Sequence, residues 1–443
     1  MKLKYLLLIL VILLLGAAGA YWYFFFGSGQ VTDVVLVNSP APSGGFIPID
    51  RTPSGGSNIP TPTGNIPTET VTPGQTIGTS TSPFVKVPSL RLISNAPVGG
   101  FAASTTISSG KLGSSASVTL VRWVDRGRGN VFETGSNTLE VTTLSNTVFP
   151  RIYDSWWNKN LTSFVAQYIE GNSSSIQTIS ANVVKRVDVA SSTQADPNFT
   201  PYQLKGNTWN KSPLAVASSP KRDRVFYMVN ENGNGVGYIS GFDGKAPIRL
   251  FETPLTQVTA DWPEENTIVI TTNASASYEG YAYIVNAKTG TWKKLAGPLP
   301  GLTVKVSHDA RYAVISVTGN NNNVLTSIYD IKNNTGTDAT IRTLTDKCAW
   351  GNFYKDLLYC AVPAQLPVGV YPDDWYKGTI SFSDKVWQIK AGTGEINLVS
   401  TLFDQSDRII DGYKLDLDMN DNYLFFMNKN DLSLWSLDLV SNQ

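Results

Sequence analysis

Seven short apolar runs recur through the chain about every 45 residues. A second strand closed by a Gly- or Asn-containing turn follows most of them. Together these observations predict an all-β protein with a seven-bladed β-propeller over residues 89–443. The runs are "TLVRWV" from Thr119, "SFVAQY" from Ser163, "RVFYMV" from Arg224, "TIVITT" from Thr267, "YAVISV" from Tyr312, "LLYCAV" from Leu357 and "YLFFMN" from Tyr423. Their starts lie 44, 61, 43, 45, 45 and 66 residues apart, a basic period with two insertions. The second runs, among them "GYISGFDG", "AYIVNAKTG", "SIYDIKNNTG", "KVWQIKAGTG" and "SLWSLDL", carry the residues that tight reversals require. No segment in this region sustains a helical period.

Ahead of the propeller the composition changes twice. Lys2 and Lys4 precede 22 uncharged residues, 5–26, which as a helix would span roughly 30 Å, the thickness of a bilayer core. The lysines favour a cytoplasmic N-terminus, and Tyr21, Trp22 and Tyr23 suit the outer interface. Residues 1–30 therefore read as an N-terminal membrane anchor. The tripeptide "AGA" at 18–20 also resembles a signal-peptidase site, and cleavage there would leave "YWYFFF" at a mature end. Residues 31–88 read as a disordered linker. Within 38–88, 32 of 51 residues are Pro, Gly, Ser or Thr and four are charged, too little apolar surface to offset chain entropy.

The last repeat, residues 413–440, has room for three strands only. "LRLIS" at 90–94 sits where its outermost strand should be, and pairing the two would close the ring and hide both edges. The turns "SSPKRDRVFYM", "SHDARYAVIS" and "DMNDNYLFFM" resemble those of TolB-like and WD-type propeller repeats. Anchor, stalk and propeller together resemble membrane-tethered propeller proteins of bacteria. That resemblance implies a fold and a location, and no reaction.

Charge and composition exclude several functions. Basic and acidic residues balance at 35 each, so no global field draws the chain to nucleic acid. The single histidine, His308, lies in "VSHDARYAV" beside Asp309 at a blade turn, and no Gly-x-Ser-x-Gly elbow accompanies it. No residue is assigned a catalytic role and no cofactor is expected. "LDLDMNDN" offers Asp416, Asp418, Asn420 and Asp421 as alternating oxygen ligands that could hold calcium, but it lacks the loop glycine and closing glutamate of a calcium loop. "NAKTGTW" at 286–292 reads as an ordinary turn.

Cys348 and Cys360 flank "AWGNFYKDLLY", a hairpin in blade six. Pairing them puts Trp350 opposite Leu358 and Asn352 opposite Asp356, so the sulfurs face each other and a disulfide is expected outside the cell membrane. The remaining candidate is "YPDDWYKG" at 371–378, inside an unusually long connection between two strands of that blade. Tyr371, Trp375 and Tyr376 offer flat apolar faces and Asp373 and Asp374 offer acceptors, a mixture typical of recognition surfaces. The expectation is that this loop edges the main binding surface, with both aspartates exposed and Trp375 partly so. Its alternative role is a plug with a small core of its own. The sequence thus predicts a single-pass membrane protein that presents an extracytoplasmic propeller as a binding or scaffold module for a protein, peptide or glycan at the cell envelope. A glycan hydrolase, with acids clustered in the central funnel, and a purely structural component of an envelope assembly are the alternatives.

Overall fold

The computed structural model describes residues 86–109, 115–149, 151–171, 175–186 and 200–441. The anchor at 1–30 and most of the linker at 31–88 lie outside the described residues. No helix among the described residues is long and apolar enough to cross a membrane.

Among the described residues, twenty-eight strands form seven four-stranded antiparallel sheets. The first strand, β1 (Leu90–Ser94), belongs to the last blade. Blade one is β2 (Val98–Ser109), β3 (Ser115–Asp125), β4 (Val131–Gly135) and β5 (Thr142–Ser145). Blade two is β6 (Ile152–Trp157), β7 (Ser163–Ile169), β8 (Ile176–Lys185) and β9 (Tyr202–Thr208). Blade three is β10 (Ala215–Ser218), β11 (Val225–Glu231), β12 (Asn234–Ser240) and β13 (Ile248–Thr253). Blade four is β14 (Val258–Glu264), β15 (Thr267–Thr272), β16 (Glu279–Asn286) and β17 (Trp292–Pro300). Blade five is β18 (Thr303–Val306), β19 (Tyr312–Thr318), β20 (Val324–Asp330) and β21 (Thr335–Asp338). Blade six is β22 (Cys348–Trp350), β23 (Leu357–Pro363), β24 (Asp384–Lys390) and β25 (Glu395–Thr401). Blade seven is β26 (Gly412–Leu417), β27 (Tyr423–Asn428) and β28 (Leu434–Asp438), completed by β1.

The seven recurring runs are the second strands of the seven blades. They are apolar without alternation because both faces of such a strand are covered by neighbouring blades, as in β11, where Val225 to Val229 are all buried. Each blade interface has its own apolar layer. Phe164 and Leu144 pack between blades one and two, Phe226 and Trp262 between three and four, and Phe426 and Tyr359 between six and seven. Burying one such side chain contributes about 1.5–3 kcal/mol, so stability is distributed around the ring.

The ring closes as the short last repeat predicts. Leu90 pairs with Leu437, Arg91 with Ser436 and Leu92 with Trp435. Arg91 is buried, and its guanidinium crosses into blade one, donating to Gly135 O and Thr134 Oγ1 at 2.9 Å each. Burial lowers the pKa of this guanidinium from its ordinary value. Among the described residues two one-turn α-helices, α1 (Asp373–Lys377) and α2 (Leu402–Ser406), interrupt the β pattern. The first lies in the long connection 364–383 and was not expected from the sequence.

Candidate binding site in the central channel

The inner strands line a channel with two chambers of about 430 and 410 Å³. Phe101, Ser155, Trp156, Ala260, Asp261 and Asp416 border both and form its waist. The larger chamber opens beside the 364–383 connection and is bounded by Lys305, Thr345, Asp346 and Tyr376. The smaller one opens among the turns that join first to second strands, beside Arg222, His308, Asn352 and Lys355.

Four carboxylates reach the channel from four blades, and each has a partner of its own. Asp154 pairs with Lys414 at 2.7 Å and Asp416 with Arg222 at 2.8 Å. Asp346 Oδ2 accepts from the Tyr376 hydroxyl at 2.7 Å, and Asp261 Oδ1 from the Trp262 N–H at 2.9 Å. Among the described residues, no three acidic, histidine or cysteine side chains gather closely enough to hold a metal ion. Each of the four acids is thus engaged by a partner on the channel wall. Half-buried Lys305 has no ion-pair partner among the described residues.

The 364–383 connection is a strap. Tyr371 is 1% exposed and Trp375 is 2% exposed, which corrects the expectation of an open Trp375 face. The physical reason is local: Tyr371, Trp375 and Phe382 pack with Val324 and Leu344 into a small core that the long connection needs to be ordered. Asp373 and Asp374 are half-buried, not exposed. Asp373 accepts from Ser275 Oγ and the Ala276 N–H of blade four, and Asp374 accepts from the Val370 N–H at 2.8 Å. The Tyr371 carbonyl accepts from Thr318 Oγ1 of blade five at 2.6 Å, and Trp375 Nε1 donates to Asp411 beside blade seven at 2.9 Å. Of the five residues singled out, Tyr376 alone keeps a substantial free surface, 45%, and it faces the channel mouth.

Cys348 and Cys360 are bonded, with Cα atoms 4.1 Å apart. The Gly351 N–H donates to Leu357 O, so strict alternation puts the Cys348–Cys360 pair at a non-hydrogen-bonded position, where opposed strands run closest. Trp350 faces Leu358 as expected. The expected Asn352–Asp356 pair is absent because the ladder stops at Trp350 and the turn is wider. The Asn352 side chain instead donates to Leu417 O at 2.8 Å.

The other sequence candidates resolve into turn chemistry. Asp309 accepts from Ser307 Oγ at 2.6 Å and the Arg311 N–H, while His308 Nδ1 lies 3.3 Å from Pro263 O, so no Ser-His-Asp relay forms. Asp416, Asp418 and Asn420 do not share a calcium site. Asp416 pairs with Arg222, Asp418 accepts from the Asn422 and Tyr423 N–H groups, and Asn420 is exposed in the turn. Neighbouring Asp421 reaches blade six and accepts the N–H groups of Asn352, Phe353 and Tyr354. In "NAKTG", Asn286 Oδ1 accepts from the Lys288 and Thr289 N–H groups, an ordinary turn.

No protein-family model and no curated relative matches the chain. Among solved structures it is similar to TolB from Acinetobacter baumannii, at 9% identity over 76% of this chain and 79% of that one, with a TM-score of 0.37. It is also similar to an oligogalacturonate lyase in complex with manganese, at 8% identity over 78% and 98% of the two chains, TM-score 0.45. An oligogalacturonate lyase from Vibrio parahaemolyticus gives 10% identity over 78% and 98%, TM-score 0.45. The blade count rests on the strand pairing described above, and these similarities say nothing of the ligand.

Sequence reasoning missed one group altogether. Lys347, Asp384 and Asp411 meet in a fully buried cluster beneath the strap. They lie 37 and 64 residues apart, and no local pattern marks them.

Proposed function

We propose that the chain is a membrane-anchored, extracytoplasmic binding module that grips a segment of a partner protein at the larger channel mouth. The observation that carries this reading is the chamber wall itself. Acids and bases pair across blades, aromatic faces of Phe101, Trp156 and Tyr376 lie between them, and Lys305 is left available for a partner carboxylate. Mixed charge beside aromatic rings suits a polypeptide, which presents carbonyls, amides and both signs of charge in a short length. The engagement of each acid by its own partner favours binding over glycan hydrolysis, which needs two carboxyl groups free to work together on a substrate. The disulfide supports an oxidising compartment. Residues 5–26 would serve as the anchor and 31–88 as the tether, in line with their composition.

One experiment on the full chain in its own membrane tests both parts. A photo-crosslinking residue placed at Tyr376 should trap a discrete partner, and Lys305→Glu should weaken that capture at least tenfold with an unchanged urea midpoint. The adduct should stay in the membrane fraction through a carbonate wash. Trapping that is indifferent to Lys305→Glu would remove the channel mouth as the site, and release by carbonate would remove the anchor.

A further inference from the structure

Lys347, Asp384 and Asp411 form a closed cluster beneath the strap. All three side chains are inaccessible to solvent. Lys347 Nζ lies 2.7 Å from Asp384 Oδ2, is in hydrogen-bond contact with Asp411 Oδ1, and donates to Gly412 O at 2.9 Å. The rings of Phe382 and Trp375 cover the amine at 5.0 and 5.4 Å and complete an apolar wall. Asp411 Oδ2 is held by Trp375 Nε1 at 2.9 Å and the Phe382 N–H at 3.2 Å. Asp384 differs in that its Oδ2 accepts from the Gly412 N–H at 2.6 Å, whereas its buried Oδ1 has no hydrogen-bond partner among the described residues.

As an ionic cluster this group is unsatisfactory. Within the cluster one ammonium faces two carboxylates. The next amine, Lys429, stands outside it against the Trp375 ring at 4.9 Å and reaches Asp411 only through space, so the carboxylates in contact with Lys347 are not both compensated by direct pairing. Burial first, opposed by Lys347, pushes the Asp384 carboxyl up to about 6. Protonation removes the excess charge, but it leaves the Oδ1 hydroxyl still unpaired, so a desolvation penalty remains. Loss of that oxygen as water removes it.

We propose that Lys347 and Asp384 condense into an intramolecular amide, with Asp411 as the proton-transfer group and the Gly412 N–H as the oxyanion donor. Asp411 takes a proton from the Lys347 ammonium and frees the amine. The amine attacks Asp384 Cγ, the new N–C bond forms, and the electron pair displaced onto Oδ2 is held by the Gly412 N–H. Oδ1, unpaired in the resting cluster, turns towards Asp411 as the carbon becomes tetrahedral and leaves as water, with the proton it needs relayed from nitrogen through Asp411. The ammonium and the carboxylic acid become one amide and one water, and the remaining proton rests on Asp411. No oxidant or other reactant is consumed. The fold supplies the proximity that this condensation lacks in water. Glycine at 412 keeps the donor close, since a Cβ there would lie 3.0 Å from the Ala361 Cβ and 3.6 Å from Asp384 Oδ2.

Mass spectrometry of the full chain, reduced, denatured and digested with trypsin, tests this directly. The expected product is a branched peptide, 343–355 joined to 378–385 and one water lighter than their sum, with trypsin unable to cut after Lys347. Asp411→Asn should yield the separate peptides 343–347 and 378–385 in place of the branched one. Refolding at about pH 5, where Asp384 holds its proton, should form the branch faster than at about pH 8. Separate peptides from the unaltered chain would overturn the proposal. A branch to 409–414 would overturn the choice of Asp384, and an undiminished branch in Asp411→Asn would overturn the role of Asp411.

Discussion

The Asp373 carboxylate accepts hydrogen bonds from Ser275 Oγ at 2.8 Å and the Ala276 N–H at 2.7 Å, so a loop of blade six is fastened to a turn of blade four. Between those two points the strap crosses blade five, where Thr318 binds the Tyr371 carbonyl. Its other end reaches Asp411 beside blade seven through Trp375. Asp373→Ala should therefore loosen one end only. The expected result is faster proteolysis within 364–383 and a loss of about 1.5–3 kcal/mol, the range for hydrogen bonds to a charged group, read from urea unfolding. Unchanged proteolysis would mean that the strap is held by its small core alone.

Trp375→Ala attacks that core directly. Removing a fully buried tryptophan should destabilise by about 3–5 kcal/mol and leave Asp411 short of one donor. Partner capture should fall with stability in this variant. In Tyr376→Ala, whose side chain is 45% exposed, capture should fall while the urea midpoint stays within the small loss of one exposed hydrogen bond to Asp346.

The disulfide joins two strands of one hairpin across a separation of 12 residues. In the chain-entropy account, closing a loop of this size stabilises by about 3 kcal/mol. Replacing both cysteines by alanine should lower the urea midpoint accordingly and leave the seven-bladed fold intact. Thiol titration of the non-reduced, denatured chain should find no reactive thiol.

Ring closure can be tested at Arg91. Arg91→Ala leaves Gly135 O without that donor and removes a β1 side chain that crosses into blade one by two hydrogen bonds. A loss of about 1–3 kcal/mol is expected, with concentration-dependent association once the β28 edge is uncovered more often.

The blades were legible in the sequence because their second strands are buried on both faces and so read as unbroken apolar runs. The closing strand was legible because "LRLIS" stands isolated next to a polar stretch while the final repeat lacks a fourth strand. Cys348 and Cys360 were legible because a short hairpin fixes its own register. The strap was legible as an insertion but not in its contacts. Trp375 meets Val324, Leu344 and Asp411, which come from other parts of the ring, and nothing within "YPDDWYKG" encodes them. Lys347 was hidden for the same reason, since its two acids arrive only when blades six and seven are assembled.

The position of β1 also has a mechanical side. Any tension carried by the chain ahead of Leu90 enters the propeller through the strand that completes its last blade. The latch of the ring is thus the five-residue segment through which a pull on the preceding chain would enter. A steady pull would bear first on the β1–β28 hydrogen bonds and on the Arg91 guanidinium, which passes part of the load to Thr134 and Gly135 in the adjacent blade. Under force the molecule should yield there, opening like a cut hoop while the other six blades keep their sheets.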